Sequence, residues 1–129
     1  MSSTEIDFVG LSGTEPLAPS SLSGGMRKRV GIARAIALKP RLLLYDEPTS
    51  GLDPVTADVI NRLVRRLQRE TGVSSIVVTH DMQSAYMIAD RVALLHQGRI
   101  RFAGTPDELR RARDPVVRQF VEGTSVELA

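Results

Sequence analysis

The hydrophobic positions of this chain fall into two patterns, one helical and one typical of short buried strands. After Ser23, apolar residues recur at helical spacing, at Met26, Val30, Ala33 and Ala37 with Ile32 and Ile36 beside them. We therefore predict a helix that ends at Lys39-Pro40. Residues 41–46 form a compact apolar run with little alternation, which indicates a strand buried on both faces of a parallel sheet.

The same two patterns continue towards the C-terminus. Asp53-Pro54 predicts a helix start and Gly72 its end, with an apolar stripe at Val55, Val59, Leu63 and Leu67. Residues 74–79 predict a second buried strand, and Asp81 a cap for a short helix through about residue 89. Two short apolar runs around Gln97-Gly98 predict a hairpin. Thr105 to Glu108 reads as a capping box, and a last helix is predicted over residues 115–121, ending at Gly123.

This order of elements predicts an α/β fold with a mainly parallel sheet. Ligands bind at the carboxyl ends of such strands, and Asp46-Glu47 and Thr79-His80 lie at the ends of the two predicted strands. The pattern therefore predicts that these two pairs of residues, with Glu47 and His80 as candidate site residues, converge. Residues 1–21, rich in Ser, Gly, Pro and Thr, are expected to be mostly irregular.

Composition excludes several classes of protein. The chain has no cysteine, so disulfides, thiolate metal sites and cysteine nucleophiles are excluded. Its net charge is only +2, and no aromatic stacking platform accompanies the basic residues, so no nucleic-acid partner is expected. No apolar run approaches the roughly 20 residues of a membrane span, and the N-terminus lacks the pattern of a secretory signal. A membrane role would have to come through a partner.

The adjacent acids Asp46 and Glu47 are the first candidate site. Carboxylates directly after a buried strand are costly unless a cation or hydrogen bonds satisfy them. A magnesium–nucleotide complex would satisfy them. Asp46 would then hold Mg²⁺, and Glu47 would polarise the water that attacks the nucleotide phosphate. The alternative is an exposed turn with two solvated acids.

The second candidate is the helix start at Ser23, Gly24 and Gly25. A serine N-cap, two small glycines and free N–H groups make an anion site, although an ordinary helix cap has the same residues. The basic run 27–29 lies at the positive end of the helix dipole, which is unfavourable, so a nearby anion would offset the repulsion. The alternative is that these residues form a solvated helix face. His80 could donate to a phosphate oxygen or simply bond to backbone. Asp53 also reads as a helix cap, and Tyr45 as a packed strand residue.

The order of these segments resembles one known family. Leu-Ser-Gly-Gly-Met, Leu-Leu-Leu-Tyr-Asp-Glu-Pro, Ser-Gly-Leu-Asp and Val-Thr-His-Asp, over residues 22 to about 104, are similar to the signature motif, Walker B strand, D-loop and switch histidine of ABC ATPases. The resemblance implies part of a P-loop NTPase (RecA-like) core and part of its helical subdomain, with ATP and Mg²⁺ as cofactors. It implies that the signature residues Ser23, Gly24 and Gly25 contact the γ-phosphate of ATP held by the opposite subunit of a dimer. It implies that Asp46 binds Mg²⁺ and that Glu47 is the general base. It also implies that Asp53 lies at the dimer interface and that His80 senses the γ-phosphate.

One departure from the family pattern narrows the resemblance. Met26 stands where glutamine is usual, and Leu-Ser-Gly-Gly-Met-Arg-Lys-Arg is similar to the ATPases of Mce/Mla-type phospholipid transporters, as is the stretch 114–123. The implied partners are a second ATPase subunit in a head-to-tail dimer, an integral membrane permease and Mce-domain lipid-binding proteins. The implied location is cytoplasmic, peripheral on the inner face of the membrane. The implied domains are a helical-subdomain remnant over 1–21, the ATPase part over 22–104 and a helical extension over 105–129.

The 129 residues contain no Gly-x-x-x-x-Gly-Lys-Ser/Thr loop and no visible Q-loop. We therefore expect that the chain alone neither binds ATP tightly nor hydrolyses it, and that its sheet leaves apolar surface uncovered, making it poorly soluble or molten. A non-catalytic partner that offers its signature motif to a complete subunit is the alternative function. A soluble ABC protein of DNA repair or translation is a further one, although no long coiled coil or second cassette is present.

Overall fold

The structure is a computed structural model and describes residues 23–123. Its elements follow in the order α1 (Gly24–Ile36), β1 (Leu42–Asp46), α2 (Pro54–Thr71), β2 (Ser74–Val78), α3 (Met82–Ile88), β3 (Val92–His96), β4 (Arg99–Gly104), α4 (Pro106–Arg111) and α5 (Pro115–Glu122). The chain divides into two compact units, one ending at Ser84 and the other beginning at Ala85. The domain boundaries predicted after residues 21 and 104 stay predictions, and the segment 1–21 lies outside the described residues.

Within the described part of the first unit, β1 and β2 form a sheet and pair in parallel as predicted. The register sets Leu42 opposite Ser74 and Asp46 opposite Val78. The two strands therefore end level with each other, which brings the residues that follow them to one edge of the sheet.

The prediction that these strands are buried on both faces is wrong. In β1, Leu43 and Tyr45 are buried while Leu44 is 72% exposed, and in β2 Val78 is 60% exposed. Side chains of a strand alternate between two faces, so the described residues cover one face of this sheet and leave apolar side chains on the other. This confirms the expected uncovered apolar surface, and it also confirms that Tyr45 is packed.

The helices of the first unit begin where predicted. Ser23 caps α1 and Asp53 caps α2, with Pro54 in the first turn; Gly72, at φ +70°, ends α2 in the left-handed conformation that suits glycine. However, α1 ends at Ile36, before the predicted stop at Lys39-Pro40.

The buried face of α2 differs from the predicted stripe. Val55 is 74% and Val59 39% exposed. Leu63 and Leu67 are buried as predicted, together with four residues outside the predicted stripe, Ala57, Ile60, Asn61 and Val64. That face includes a small residue and a polar one, so hydropathy alone could not place it.

The second unit contains the predicted hairpin and the last two helices. Strands β3 and β4 pair antiparallel across Gln97 and Gly98, whose φ values of +49° and +76° are the left-handed pair that a tight hairpin turn requires. Thr105 caps α4 by accepting from the Glu108 N–H, and Asp114 caps α5. Along residues 23–123, no helix combines the length and apolar character that crossing a bilayer demands.

Candidate functional site

Glu47 and His80 form a hydrogen-bonded pair at the carboxyl ends of the two parallel strands. His80 Nδ1 lies 2.8 Å from Glu47 Oε1, while the His80 side chain is 75% exposed. A carboxylate only accepts, so Nδ1 carries the proton and donates it. The second ring nitrogen, Nε2, is then left for another partner. This geometry confirms the expected convergence of Glu47 and His80.

Each member of the pair shifts the titration of the other. The hydrogen bond from His80 lowers the pKa of Glu47 below its ordinary value of 4.5. The same bond and the negative charge of Glu47 raise the pKa of His80 above 6.5. Glu47 is therefore ionised at neutral pH, as an acceptor for a proton must be.

The backbone of Glu47 adopts an unusual conformation. Its φ of +48° lies in the left-handed region, which is uncommon for a residue with a side chain. Its N–H donates to the Val78 carbonyl at 2.7 Å, and its own carbonyl accepts from the Ser50 N–H at 3.2 Å. The chain therefore turns over residues 47–50 directly after β1, and this turn aims the Glu47 side chain at His80.

Asp46 is the last residue of β1 and is exposed. Among the described residues, no three acidic or histidine side chains gather into a metal-binding cluster. Magnesium is commonly held by one or two carboxylates together with substrate phosphates and water. A single accessible carboxylate at a strand end fits that mode of binding.

The start of α1 has the geometry of an anion site. Ser23 Oγ accepts from the Met26 N–H at 3.2 Å, and the Ser23 carbonyl accepts from the Arg27 N–H at 2.9 Å. The N–H groups of Gly24 and Gly25 belong to the first helical turn, whose donors have no intrahelical acceptor. The Gly24 N–H can donate to a negatively charged group near the helix end, whereas Gly25 is buried.

Gly25 also packs against the start of α2. It is buried, and a Cβ added there would lie 2.5 Å from Thr56 Cγ2. Thr56 is held in turn by Asp53, which accepts from both the Thr56 hydroxyl and its N–H. The predicted signature and D-loop residues therefore meet within the first unit, and Gly25 is glycine because α1 and α2 approach closely at this point. The Asp53 cap and its hydrogen bonds lower the pKa of that carboxyl.

A buried polar cluster connects the segment after β1 with the start of α3. Ser84 Oγ accepts from Asn61 Nδ2 at 2.8 Å and donates to Asp81 Oδ2 at 2.7 Å, and Thr49 Oγ1 lies 3.4 Å from both oxygens. Thr49 follows Glu47 by two residues, and Asp81 directly follows His80. The cluster therefore holds together the two segments that carry the Glu47–His80 pair. Sequence reasoning missed it because Thr, Asn and Ser also occur on exposed surfaces.

Lys28 is the other contact that the sequence did not show. The basic run 27–29 was interpreted either as a solvated helix face or as part of an anion site. Instead, Lys28 Nζ donates to the Glu47 carbonyl at 3.1 Å and to Ser50 Oγ at 3.3 Å. The unfavourable position of a cation near the start of a helix was the one signal that a specific partner exists.

Comparison with known proteins places this arrangement in a family. Residues 4–50 match the family described as ABC transporter. A sulfate/thiosulfate import ATP-binding protein, CysA 2 of Chromobacterium violaceum, is 49% identical over 83% of this chain and 29% of its own length. The methionine import ATP-binding protein MetN 2 of Rhodococcus jostii is 47% identical over 90% of this chain and 34% of its own. The chain belongs to the ABC transporter ATPase family.

A third relative of this ABC chain comes from a phospholipid system. MlaF of Escherichia coli, an intermembrane phospholipid transport system ATP-binding protein, is 43% identical over 92% of the chain and 44% of its own length. The chain thus spans 29–44% of the length of these relatives. The substrates named for these relatives differ, so membership of the family does not assign a cargo.

A solved structure supports the fold. The chain superimposes on cbiO1 of Clostridium perfringens, described as part of the ABC transporter complex cbiONQ, with a TM-score of 0.78 and 30% identity, over 93% of this chain and 51% of that one. The α/β fold with a parallel sheet, predicted as part of an ABC ATPase core, is therefore confirmed.

Proposed function

We propose that these residues supply part of the ATP-hydrolysing site of an ABC transporter subunit. The observation that carries the proposal is the Glu47–His80 pair, 2.8 Å apart at the ends of two parallel strands. This is the edge of the sheet at which α/β proteins bind ligands. Glu47 offers an ionised acceptor for a proton, and His80, hydrogen-bonded to it, offers an exposed imidazole nitrogen.

The chemistry follows from the protonation of the pair. Glu47, ionised at neutral pH, orients the attacking water and accepts its proton. When His80 is protonated, as its raised pKa favours, Nδ1–H donates to Glu47 and Nε2–H is the group that donates to a γ-phosphate oxygen. Asp46 would hold Mg²⁺, which neutralises charge on the phosphates.

The start of α1 serves a different nucleotide in this proposal. Ser23 and the N–H group of Gly24 form a site for the γ-phosphate of an ATP held by a second ATPase subunit. Asp53, at the start of the neighbouring α2, acts at the same subunit interface. Thr56 contacts Gly25 and Asp53, and so fixes the start of α1 relative to the start of α2.

Phosphate release tests the proposal. The protein, produced from its own gene with a C-terminal tag, is purified with the subunits that accompany it and compared with its Glu47→Gln variant. We expect steady-state ATP hydrolysis to fall by about 100-fold or more, because the water loses its proton acceptor. Glu70→Gln, an exposed acid on α2, is the matched control and should leave the rate unchanged.

The outcomes separate two functions. Hydrolysis unaffected by Glu47→Gln excludes the catalytic role. If hydrolysis then still depended on Ser23, so that Ser23→Arg abolished it, the chain would be a non-catalytic partner that offers its helix start to another subunit.

We propose phospholipid or another lipid as the cargo, moved through an integral membrane permease with Mce-domain proteins as further partners. The subunit would then lie on the inner face of the cytoplasmic membrane. Met26 within the signature, the basic run after it and the sequence of α5 support this assignment. The test is ATP-dependent transfer of a fluorescent phospholipid by the purified complex in vesicles; ATP-dependent uptake of methionine or sulfate, without lipid transfer, would contradict it.

A further inference from the structure

The side chain of Lys28 bridges the two ends of the turn that follows β1. Its Nζ donates to the Glu47 carbonyl at 3.1 Å and to Ser50 Oγ at 3.3 Å. The Ser50 N–H donates to the same Glu47 carbonyl at 3.2 Å. One ammonium group therefore holds both the first and the last residue of a four-residue turn.

This turn contains the residue with the unfavourable backbone conformation. A left-handed φ at a residue other than glycine is unfavourable and persists only where the surroundings fix it. The Glu47 N–H is fixed by the Val78 carbonyl on one side. On the other side, the charged donor of Lys28 adds to the bond from Ser50, and hydrogen bonds to a charged group are stronger than neutral ones.

We propose that Lys28 is a positioning residue for the reaction assigned above. It holds the Glu47–Ser50 turn so that the Glu47 carboxylate stays against His80, and it ties that turn to α1. The inference rests on the proposed function, because Glu47 must act in ATP hydrolysis for its position to affect the rate.

The helix that carries Lys28 gives the contact a further consequence. Lys28 is the fifth residue of α1, and the same helix begins with Ser23, Gly24 and Gly25. Lys28 therefore links the helix that begins with these residues to the turn that carries Glu47.

The chain offers a matched control for this contact. It contains two lysines, Lys28 and Lys39, and Lys39 is exposed beyond the end of α1. Lys28→Met and Lys39→Met remove the same charge and keep a long apolar side chain. Lys28→Arg keeps a cation that can donate to both acceptors.

The kinetic arm measures ATP hydrolysis by the purified assembled protein. We expect Lys28→Met to lower kcat by about tenfold while KM for ATP changes less than about twofold, because the loss falls on the transition state and not on ATP binding. Lys28→Arg should recover most of the rate, and Lys39→Met should match the wild type. A value of kcat for Lys28→Met within twofold of Lys39→Met would overturn the proposal.

The structural arm measures hydrogen–deuterium exchange of the same samples. In Lys28→Met, peptides that cover residues 47–53 should exchange faster, since the Ser50 N–H bond loses its support, while peptides from α2 should not change. A lower kcat without faster exchange in this turn, or faster exchange without a lower kcat, also contradicts the positioning role.

Failure of the proposed function gives a different result. A wild-type protein without Glu47-dependent hydrolysis overturns the catalytic assignment. The exchange of residues 47–53 in Lys28→Met then decides by itself whether Lys28 holds the turn.

Discussion

His80 Nδ1 donates to Glu47 Oε1 over 2.8 Å, although 33 residues separate the two along the chain. The parallel register of β1 and β2 is the cause, because it sets Asp46 opposite Val78 and so ends both strands at one level. The residues that follow them must then meet. The Glu47–His80 contact therefore depends on the strand register as well as on the two side chains.

The first prediction concerns the titration of His80. Glu47 raises the pKa of His80 above 6.5, so Glu47→Gln should lower the pKa of His80 towards that value. The measurement is a pH titration of the imidazole resonances by NMR, with Glu70→Gln as the control. A pKa of His80 that does not move in Glu47→Gln would show that the two side chains are not paired in solution.

The second prediction concerns stability against pH. The raised pKa of His80 contributes stability that is present below pH 6.5 and lost as the pH rises through its folded value. The lowered pKa of Glu47 contributes stability that is present above pH 4.5 and lost as the pH falls through its folded value. The difference in free energy of unfolding between wild type and Glu47→Gln should therefore be largest between pH 4.5 and 6.5. Denaturant unfolding across this range checks it, and a difference that keeps growing above pH 8 is incompatible with the pair.

The third prediction concerns the approach of α1 to α2. Gly25→Ala should destabilise the protein by about 1–3 kcal/mol, because the new Cβ meets Thr56 Cγ2 at 2.5 Å. Gly31→Ala, in the same helix with no neighbour within 4 Å, should instead stabilise by roughly 0.5–1 kcal/mol. Thr56→Ser removes the clashing methyl and keeps the hydroxyl, so it should restore much of the stability of Gly25→Ala. Chemical unfolding of Gly25→Ala, Gly31→Ala and the double variant Gly25→Ala/Thr56→Ser checks this, and equal effects of Gly25→Ala and Gly31→Ala would refute the close contact.

The fourth prediction concerns the buried polar cluster. Ser84 is 2% and Asn61 3% exposed. Ser84→Ala leaves the Asn61 Nδ2 group buried without its acceptor, which should cost about 1–3 kcal/mol. Ser74→Ala, at the exposed start of β2, should cost less than about 0.5 kcal/mol. The same unfolding measurement compares them, and a neutral Ser84→Ala would mean that water replaces the lost contact.

The fold could be read from the sequence where local rules dominate. The caps at Ser23, Asp53 and Thr105, the stop at Gly72 and the hairpin at Gln97-Gly98 each follow from the conformational preferences of a few adjacent residues. Strand burial could not be predicted in the same way, because the exposed Leu44 is as apolar as its buried neighbour Leu43. Which face is covered depends on what packs there, and a single strand does not encode that.

In the candidate site too, some residues could be predicted from local sequence and others only from tertiary packing. Asp46, Glu47 and His80 were identifiable because polar residues directly follow apolar runs. Lys28 was not, since a lysine in a basic run on a helix usually faces solvent, and only the tertiary approach of α1 to the turn after β1 provides its acceptors. Gly25 likewise requires the position of Thr56, 31 residues away, before its lack of a side chain is explained.

ATP retention measured beside ATP turnover tests the central claim most directly. The purified assembled protein and its Glu47→Gln variant are incubated with labelled ATP and Mg²⁺, separated from free nucleotide by rapid gel filtration, and analysed for bound ATP and ADP. We predict that Glu47→Gln retains at least as much ATP as the wild type and forms almost no ADP, because the acid that activates water is lost while Ser23 and His80, the groups proposed to contact phosphate, remain. ADP formation by Glu47→Gln at the wild-type rate would contradict the assignment of Glu47 as the catalytic residue.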